Sequence, residues 1–405
     1  MLEVYELKCF IQNYLWGKRG SESEVSRLSL AGQHIESINE EQYYAELWMG
    51  AHSKSPSILK NSEQKLSDWI NDNEEILGKS SILKFGNKLP FLMKVLSINS
   101  ALSIQVHPSK DRAEELHKQF PELYPDSNHK PEMAIALSNF EGLCGFRPYS
   151  EIKFFLKEIP EFQLMLGYDL IRQFNDDINN SQILLKDIFY KLMTLEKEII
   201  SQNVKSHKSK LQSLCDDEKK KFLTVLFYRL DCWFPNDVGC FCIYFLNYIQ
   251  LLPGQAIYLG ANEPHAYIHG DCIECMACSD NVIRAGLTPK HIDVKTLCSM
   301  LNFNGAPVES KLFYGIQENS YTTLFRPPVP DFAVAHIKVP ANNIYTLLKR
   351  DVASIILIVH GQCKIEESSD LIFSTGKVFL IPANKVVQLH VEIEFLELFQ
   401  AFVNL

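Results

Sequence analysis

The hydrophobic period of this chain changes twice, and those two changes limit its fold more than any other feature. From residue 1 to about 150, short apolar runs alternate with turn residues, as in an all-β region. After Ser150, a potential helix cap, the spacing turns helical through Ile152, Phe155, Leu156 and Ile159. Leu185, Ile188, Leu192, Leu195 and Ile199 then repeat at alternating threes and fours. The Lys- and Ser-rich stretch over 206–210 reads as a loop. Beyond it, Asp216-Asp217-Glu218-Lys219-Lys220-Lys221 opens another helix, acids first and bases later, with the character of a solvated face. Strand character returns near Gly239 and continues to the end. A chain of 405 residues exceeds what one core usually holds, ~250–300 residues. The expected organisation is mainly β with a helical domain over 151–230. One β module is built from 1–150 with 231–310, and a second spans 311–405.

An internal echo supports two related β modules. Gly254-Gln255-Ala256-Ile257-Tyr258-Leu259-Gly260-Ala261-Asn262 aligns with Gly376-Lys377-Val378-Phe379-Leu380-Ile381-Pro382-Ala383-Asn384, each a turn, a buried strand and a turn. Continuing the register sets His265 against Val387. Both modules read as β-barrels, of which only the first carries a metal ligand.

The chemistry concentrates in Ala101-Leu102-Ser103-Ile104-Gln105-Val106-His107, which alternates strictly. Leu102, Ile104 and Val106 face one side of a strand, and Ser103, Gln105 and His107 the other. Gln105 and His107 can then reach one ion together. Glu132 and His265 can complete its ligand set, and two imidazoles with a carboxylate and an amide oxygen suit a borderline ion such as zinc. Glu132 lies on a segment with Lys130, Ala134 and Ala136 on one face and Met133, Ile135 and Leu137 on the other. A half-buried carboxylate there needs a cation or a hydrogen-bond partner.

Several cations flank these residues. Lys94 interrupts the apolar run Phe91-Leu92-Met93-Lys94-Val95-Leu96, Lys130 precedes Glu132 by one strand repeat, and Arg284 and Lys290 follow His265. Together they suit a substrate carrying phosphate or developing oxyanion charge. Glu274 is an isolated acid among apolar neighbours and a candidate general base. Cys272, Cys275 and Cys278 read as buried thiols on a strand, since residues three apart face opposite sides. Gly17-Lys18-Arg19-Gly20-Ser21 lacks the spacing of a phosphate loop.

Charge and cysteine usage exclude other classes. Forty-nine acidic against forty basic residues give a net charge of −9, which disfavours nonspecific nucleic-acid binding. Eleven scattered cysteines and an N-terminus without a basic-then-apolar leader suggest a reducing, cytoplasmic setting. The most apolar run, 238–252, is shorter than the ~18–20 residues of a membrane span.

The chain closely resembles the type I phosphomannose isomerases. The resemblance is carried by Gln12-Asn13-Tyr14-Leu15-Trp16-Gly17-Lys18, Tyr44-Ala45-Glu46-Leu47-Trp48-Met49-Gly50, Leu89-Pro90-Phe91-Leu92-Met93-Lys94-Val95-Leu96 and the stretch 101–108. It continues through His129-Lys130-Pro131-Glu132-Met133-Ala134, the block 270–290 and Arg326-Pro327-Pro328-Val329-Pro330-Asp331-Phe332. It implies a cupin-type (jelly-roll) catalytic barrel, a helical domain and a second cupin-like barrel. It also implies one zinc ion on Gln105, His107, Glu132 and His265, with Arg284 as the active-site arginine. Phosphate and sugar contacts fall among Ser103, Lys94, Lys130 and Lys290. Ser109 stands where the family often has an acid.

The implied reaction interconverts mannose 6-phosphate and fructose 6-phosphate through an enediol, feeding GDP-mannose synthesis. It needs a base of tuned pKa and fixed positive charge at the sugar oxygens. Glu274 ranks first as the base, with His129, Lys130 and Asp280 as rivals. The expected partner is the sugar phosphate alone, without nucleic acid or membrane, and the chain is expected to be a monomer or a weak homodimer. An iron-dependent dioxygenase and a non-catalytic sugar-phosphate-binding protein are the competing readings.

Overall fold

In the computed structural model, which describes residues 4–290, 292–365 and 368–405, the changes of period become changes of architecture. The first large sheet runs in the order Leu312–Phe313, Ala256–Leu259, Glu132–Ala136, His265–Ala277, Phe91–Ile98, Glu46–Gly50, Phe10–Gln12. Its organising strand is His265–Ala277, thirteen residues of which only His269 is not buried. A strand covered on both faces needs a nearly continuous run of small and apolar residues, and 266–277 supplies one.

That long strand changes partners at Gly270. Before it, the strand pairs with Phe140–Phe146 and, at His265, with Gln105. From Gly270 onward it pairs with Phe91–Ile98 and Glu132–Ala136. The glycine has φ +111°, and a Cβ there would lie 2.5 Å from the Asn139 carbonyl oxygen. Only glycine allows so close an approach in this conformation. The strand thereby brings Gln105, Glu132 and Lys94 into one neighbourhood from three different partners.

The expectation of two cupin-type barrels is overturned. Among the described residues no closed β-barrel is found; the large sheets are open paths with free edges. Because His265–Ala277 exchanges partners along its length, the strands around it branch and do not close a ring. What stands is a catalytic domain with a helical insertion. The second large sheet is ordered Ile316–Asn319, Thr322–Phe325, Ala333–Val339, Leu396–Phe402, Ser354–His360, Val378–Ile381, Tyr5–Lys8, Ile58–Leu59, so two N-terminal strands complete it. The echo between 254–262 and 376–384 is conformational as well. Gly254 and Gly376 have φ +88° and +82°, Asn262 and Asn384 have φ +65° and +64°, and each pair brackets a four-residue strand.

Helices fill residues 149–242, from Tyr149–Glu158 to Gly239–Cys242. Here local expectations needed correction. Ser150 lies inside the first helix, whose N-cap is Pro148. The 206–210 stretch belongs to the helix Lys197–Gln212, where Ile200, Asn203, Val204, His207 and Leu211 are buried at helical spacing. Its Lys and Ser residues are the solvated face of that helix. The N-terminal region is not all β either, since it contains helices Glu24–Ala31, Leu66–Asp72, Lys79–Phe85 and Lys110–Gln119. Ser109 caps the last of these by accepting from the Arg112 N–H.

Candidate metal centre and active site

Three side chains from three strand ends meet in a buried cluster. His107 follows the strand Ile104–Val106, Glu132 opens Glu132–Ala136 and His265 opens His265–Ala277. The alternating strand is shorter than 101–107, but His107 remains beside it, and the Asn262 N–H donates to the His107 carbonyl at 2.8 Å. One ligand atom from each residue lies within 4.8 Å of the others. His107 Nε2 stands 3.4 Å from Glu132 Oε1, and His265 Nε2 stands 3.4 Å from Glu132 Oε2.

The hydrogen bonds behind the imidazoles fix their tautomers. His107 Nδ1 donates to the Asn281 carbonyl at 2.7 Å, and His265 Nδ1 donates to the Glu263 carbonyl at 2.9 Å. Both Nε2 lone pairs therefore face the cluster, and His107 Nε2, His265 Nε2 and Glu132 Oε2 have no hydrogen-bond partner. Three converging buried acceptors are costly unless a cation joins them. Burial, helped by Lys130, drops the His107 pKa to about 4, which keeps its imidazole neutral despite Glu132. Burial alone would raise the Glu132 pKa, but Lys130 and His107 hold it well below the usual range. Neutral imidazoles and an ionised carboxylate are the donor set of a zinc site, and the Gln105 amide oxygen can add a fourth ligand. Gln105 is directly opposite His265 in the strand register.

Behind the ligands is a clasp that sequence reasoning did not single out. Asp126 Oδ1 accepts from Ser279 Oγ at 2.9 Å, and Asp126 Oδ2 accepts from the Asp280 N–H at 2.7 Å. Asn281 Nδ2 donates to the carbonyls of Asp126 and Asn128 at 2.7 and 3.0 Å. These bonds fasten 126–128 to 279–281 and aim the Asn281 carbonyl at His107. The only sequence signal was the cluster of Asp, Asn and Ser in both segments.

A second buried group lies on the neighbouring strands. Lys94 and Glu274 face each other in register, with Nζ 3.0 Å from Glu274 Oε2 and 3.4 Å from Glu46 Oε2. Trp48 Nε1 donates to the same Glu46 oxygen, and the Lys94 ammonium lies 5.1 Å from a Trp48 ring centroid. Burial opposes the Lys94 charge, but Glu274, Glu46 and Glu132 outweigh it and hold the amine above its ordinary range. The Glu274 pKa is raised because the group is desolvated, although Lys94 pulls the other way. Tyr267 is buried nearby; burial first, then Glu274 and Glu132, raise its phenol pKa.

The other sequence-derived residues are spread around this centre. Lys130 Nζ is 2.8 Å from Glu132 Oε1. Arg284 is half-buried, directly opposite Gln105, and no carboxylate among the described residues pairs with it. Burial lowers its pKa, but a guanidinium stays charged. His129 turns to Asp331 at 3.0 Å, and Asp280 pairs with Lys54 at 2.9 Å. Both line a cleft of about 920 Å³ whose lining includes none of the three ligands. Ser103 is partly buried ahead of the Ile104–Val106 strand, and Lys290 is exposed. Cys272 and Cys275 are buried along the long strand, and burial raises all three thiols of this segment, Cys278 to about 12.

A buried two-histidine, one-carboxylate cluster beside a buried carboxylate–lysine pair defines the class: an enzyme site built for a divalent metal. Comparison with known proteins gives the family. Residues 4–149 match the catalytic domain of phosphomannose isomerase type I, and residues 166–246 match its helical insertion domain. The chain is 46% identical over 410 residues to mannose-6-phosphate isomerase of Rattus norvegicus, covering 95% of each chain. It is 44% identical over 401 residues to the Homo sapiens protein of the same name, also with 95% of each covered. Among solved structures it is similar to a mannose 6-phosphate isomerase bound with zinc and yttrium (TM-score 0.85, 30% identity, 99% and 100% coverage). It is equally similar to the apo form from Salmonella typhimurium (TM-score 0.84, 30% identity, 100% of each chain). The chain belongs to the type I phosphomannose isomerase family.

Proposed function

We propose that this protein is a zinc-dependent aldose–ketose isomerase that interconverts mannose 6-phosphate and fructose 6-phosphate. The observation that carries this reading is the set of three buried, unpartnered donor atoms of His107, Glu132 and His265. His107, Glu132, His265 and Gln105 hold the ion. Zinc, when bound, supplies a divalent charge that polarises the sugar oxygens.

The chain's own residues do the rest. Isomerisation moves a proton between C2 and C1, with negative charge developing on O1 and O2. Glu274 is the base: burial raises its pKa, which makes its carboxylate a better proton acceptor, and Lys94 steadies it. His129, Lys130 and Asp280 are the rivals; each, like Glu274, faces a close partner. Arg284 meets the developing oxyanion, since no carboxylate among the described residues neutralises it. Ser103 and Lys290 contact the phosphate end. Lys130 holds Glu132 ionised.

The working organisation is a catalytic domain from 1–150 and 231–310, the helical domain 151–230, and a C-terminal domain 311–405, with Tyr5–Lys8 and Ile58–Leu59 lent to the C-terminal sheet and Leu312–Phe313 to the catalytic one. The protein acts as a cytoplasmic monomer, consistent with eleven free cysteines. No described helix is long and apolar enough to cross a membrane. A coupled assay of fructose 6-phosphate formation from mannose 6-phosphate tests the reading. Turnover supports it; none from folded, zinc-loaded protein that still binds mannose 6-phosphate would favour a binding protein instead.

A further inference from the structure

Arg284 sits on a strand that ordinary pairing would not hold as observed. In Ile283–Gly286, Arg284 pairs with Gln105 and Gly286 with Ile104, so Ala285 is an extra residue between consecutive partners. Such a bulge re-aims the side chain beside it. Immediately afterwards Leu287 takes φ +51°, a left-handed conformation that costs a non-glycine residue energy. Conformations of this kind persist only where surrounding structure enforces them. With no ion-pair partner among the described residues, the Arg284 guanidinium depends on its backbone for its aim.

The enforcing contacts come from the end of the helical region. Asp237 Oδ1 accepts from the Leu287 N–H and the Gly239 N–H, each at 2.7 Å, and Oδ2 accepts from the Thr288 N–H at 3.3 Å. Gly239 packs so tightly that a Cβ on it would lie 2.6 Å from the Leu287 nitrogen, and one on Gly286 would lie 2.9 Å from Gly239 Cα. Two glycines thus let the backbones touch, and one carboxylate gathers three N–H groups across the contact.

We propose that Asp237, with Gly239, is a positioning residue that clamps the turn after the bulge and so fixes the direction of Arg284. The segment 237–239, within the stretch matched to the helical insertion domain, thereby becomes part of the catalytic apparatus, without touching substrate. The proposal rests on the reading of Arg284 given above.

A double-mutant cycle of Asp237→Asn with Arg284→Ala tests it, with zinc content and kcat and KM measured for all four proteins. Asp237→Asn alone should lower kcat about 10- to 100-fold, the usual cost of a misplacement near 1 Å, with zinc content unchanged. In the Arg284→Ala background the same change should cost nothing further. Gly239→Ala, which presses a methyl on Leu287 without altering Asp237, should show the same non-additivity. Ser206→Ala, elsewhere in the helical region, should leave kcat unchanged. Multiplicative losses, or full kcat in both Asp237→Asn and Gly239→Ala, would overturn the clamp. Undiminished turnover in Arg284→Ala alone would instead overturn the role of Arg284, and the clamp with it.

Discussion

Lys94→Met should destabilise the protein strongly, because it strips the cation from two buried carboxylates. Lys94 and Glu46 are each 6% exposed and Glu274 is 3% exposed, so solvent screens this group little. At 3.0 and 3.4 Å and an effective dielectric near 20, each ion pair is worth about 5 kcal/mol gross. Desolvation of the ammonium offsets part of that sum. Removing one member of such a buried group usually costs about 3–5 kcal/mol net, since the remaining charges stay buried without compensation. The loss should depend on pH. Without Lys94, the Glu274 pKa, already raised by burial, rises further above that of the unfolded chain. Protonation then favours the folded form, so the deficit is largest at neutral pH and shrinks on acidification. Urea denaturation of wild type, Lys94→Met and Lys94→Met with Glu274→Gln, at about pH 8 and about pH 5, reads this directly. The double variant should recover a large part of the loss. Equal denaturation midpoints for wild type and Lys94→Met at both pH values would refute the reasoning.

Other consequences follow from the same geometry. His34 accepts the Cys9 N–H and donates to the Gly376 carbonyl while buried, and burial lowers its pKa from 6.5 to about 4. Its neutral form is the folded one, so its contribution is complete above pH 6.5 and is lost as pH falls toward 4, about 3 kcal/mol in all. A His34→Gln variant should lose this part of the acid sensitivity in denaturation curves; an unchanged pH dependence would contradict the assignment. Asp126→Ala should weaken zinc binding about 10- to 100-fold by releasing the Asn281 carbonyl from His107, as measured by competition with a chelating dye. An unchanged zinc affinity would show that the clasp does not orient His107. His107→Ala should lose zinc and turnover together, whereas Arg284→Ala should keep zinc and lose turnover; metal analysis beside the coupled assay separates the two.

How much of this was legible depended on where each signal resides. The metal set is partly readable because Gln105 and His107 share the polar face of an alternating strand and Glu132 lies in a half-buried one, where an unpaired carboxylate is expensive. Lys94 and Glu274 stand out for the same reason, although their pairing required the register of two strands 180 residues apart in sequence. Asp126, Asn281 and Asp237 were not readable. Their work is done through backbone N–H and carbonyl groups, which every residue carries and no pattern marks. The sheets were legible as strands but not as open paths. Whether a set of strands closes depends on partner exchange at Gly270, and a lone glycine in a strand does not announce a change of partner. The 206–210 helix was missed because its polar face was read without the buried positions Val204, His207 and Leu211 on the other side.

The most direct test of the central claim is a zinc titration of chelator-stripped protein, with bound metal and fructose 6-phosphate formation measured on the same samples. Turnover should be absent without metal, rise in proportion to bound zinc, and level off at one equivalent per chain. Full turnover in metal-free protein, or zinc that binds equally well to His107→Ala, would contradict the assignment of this cluster as the metal centre of the reaction.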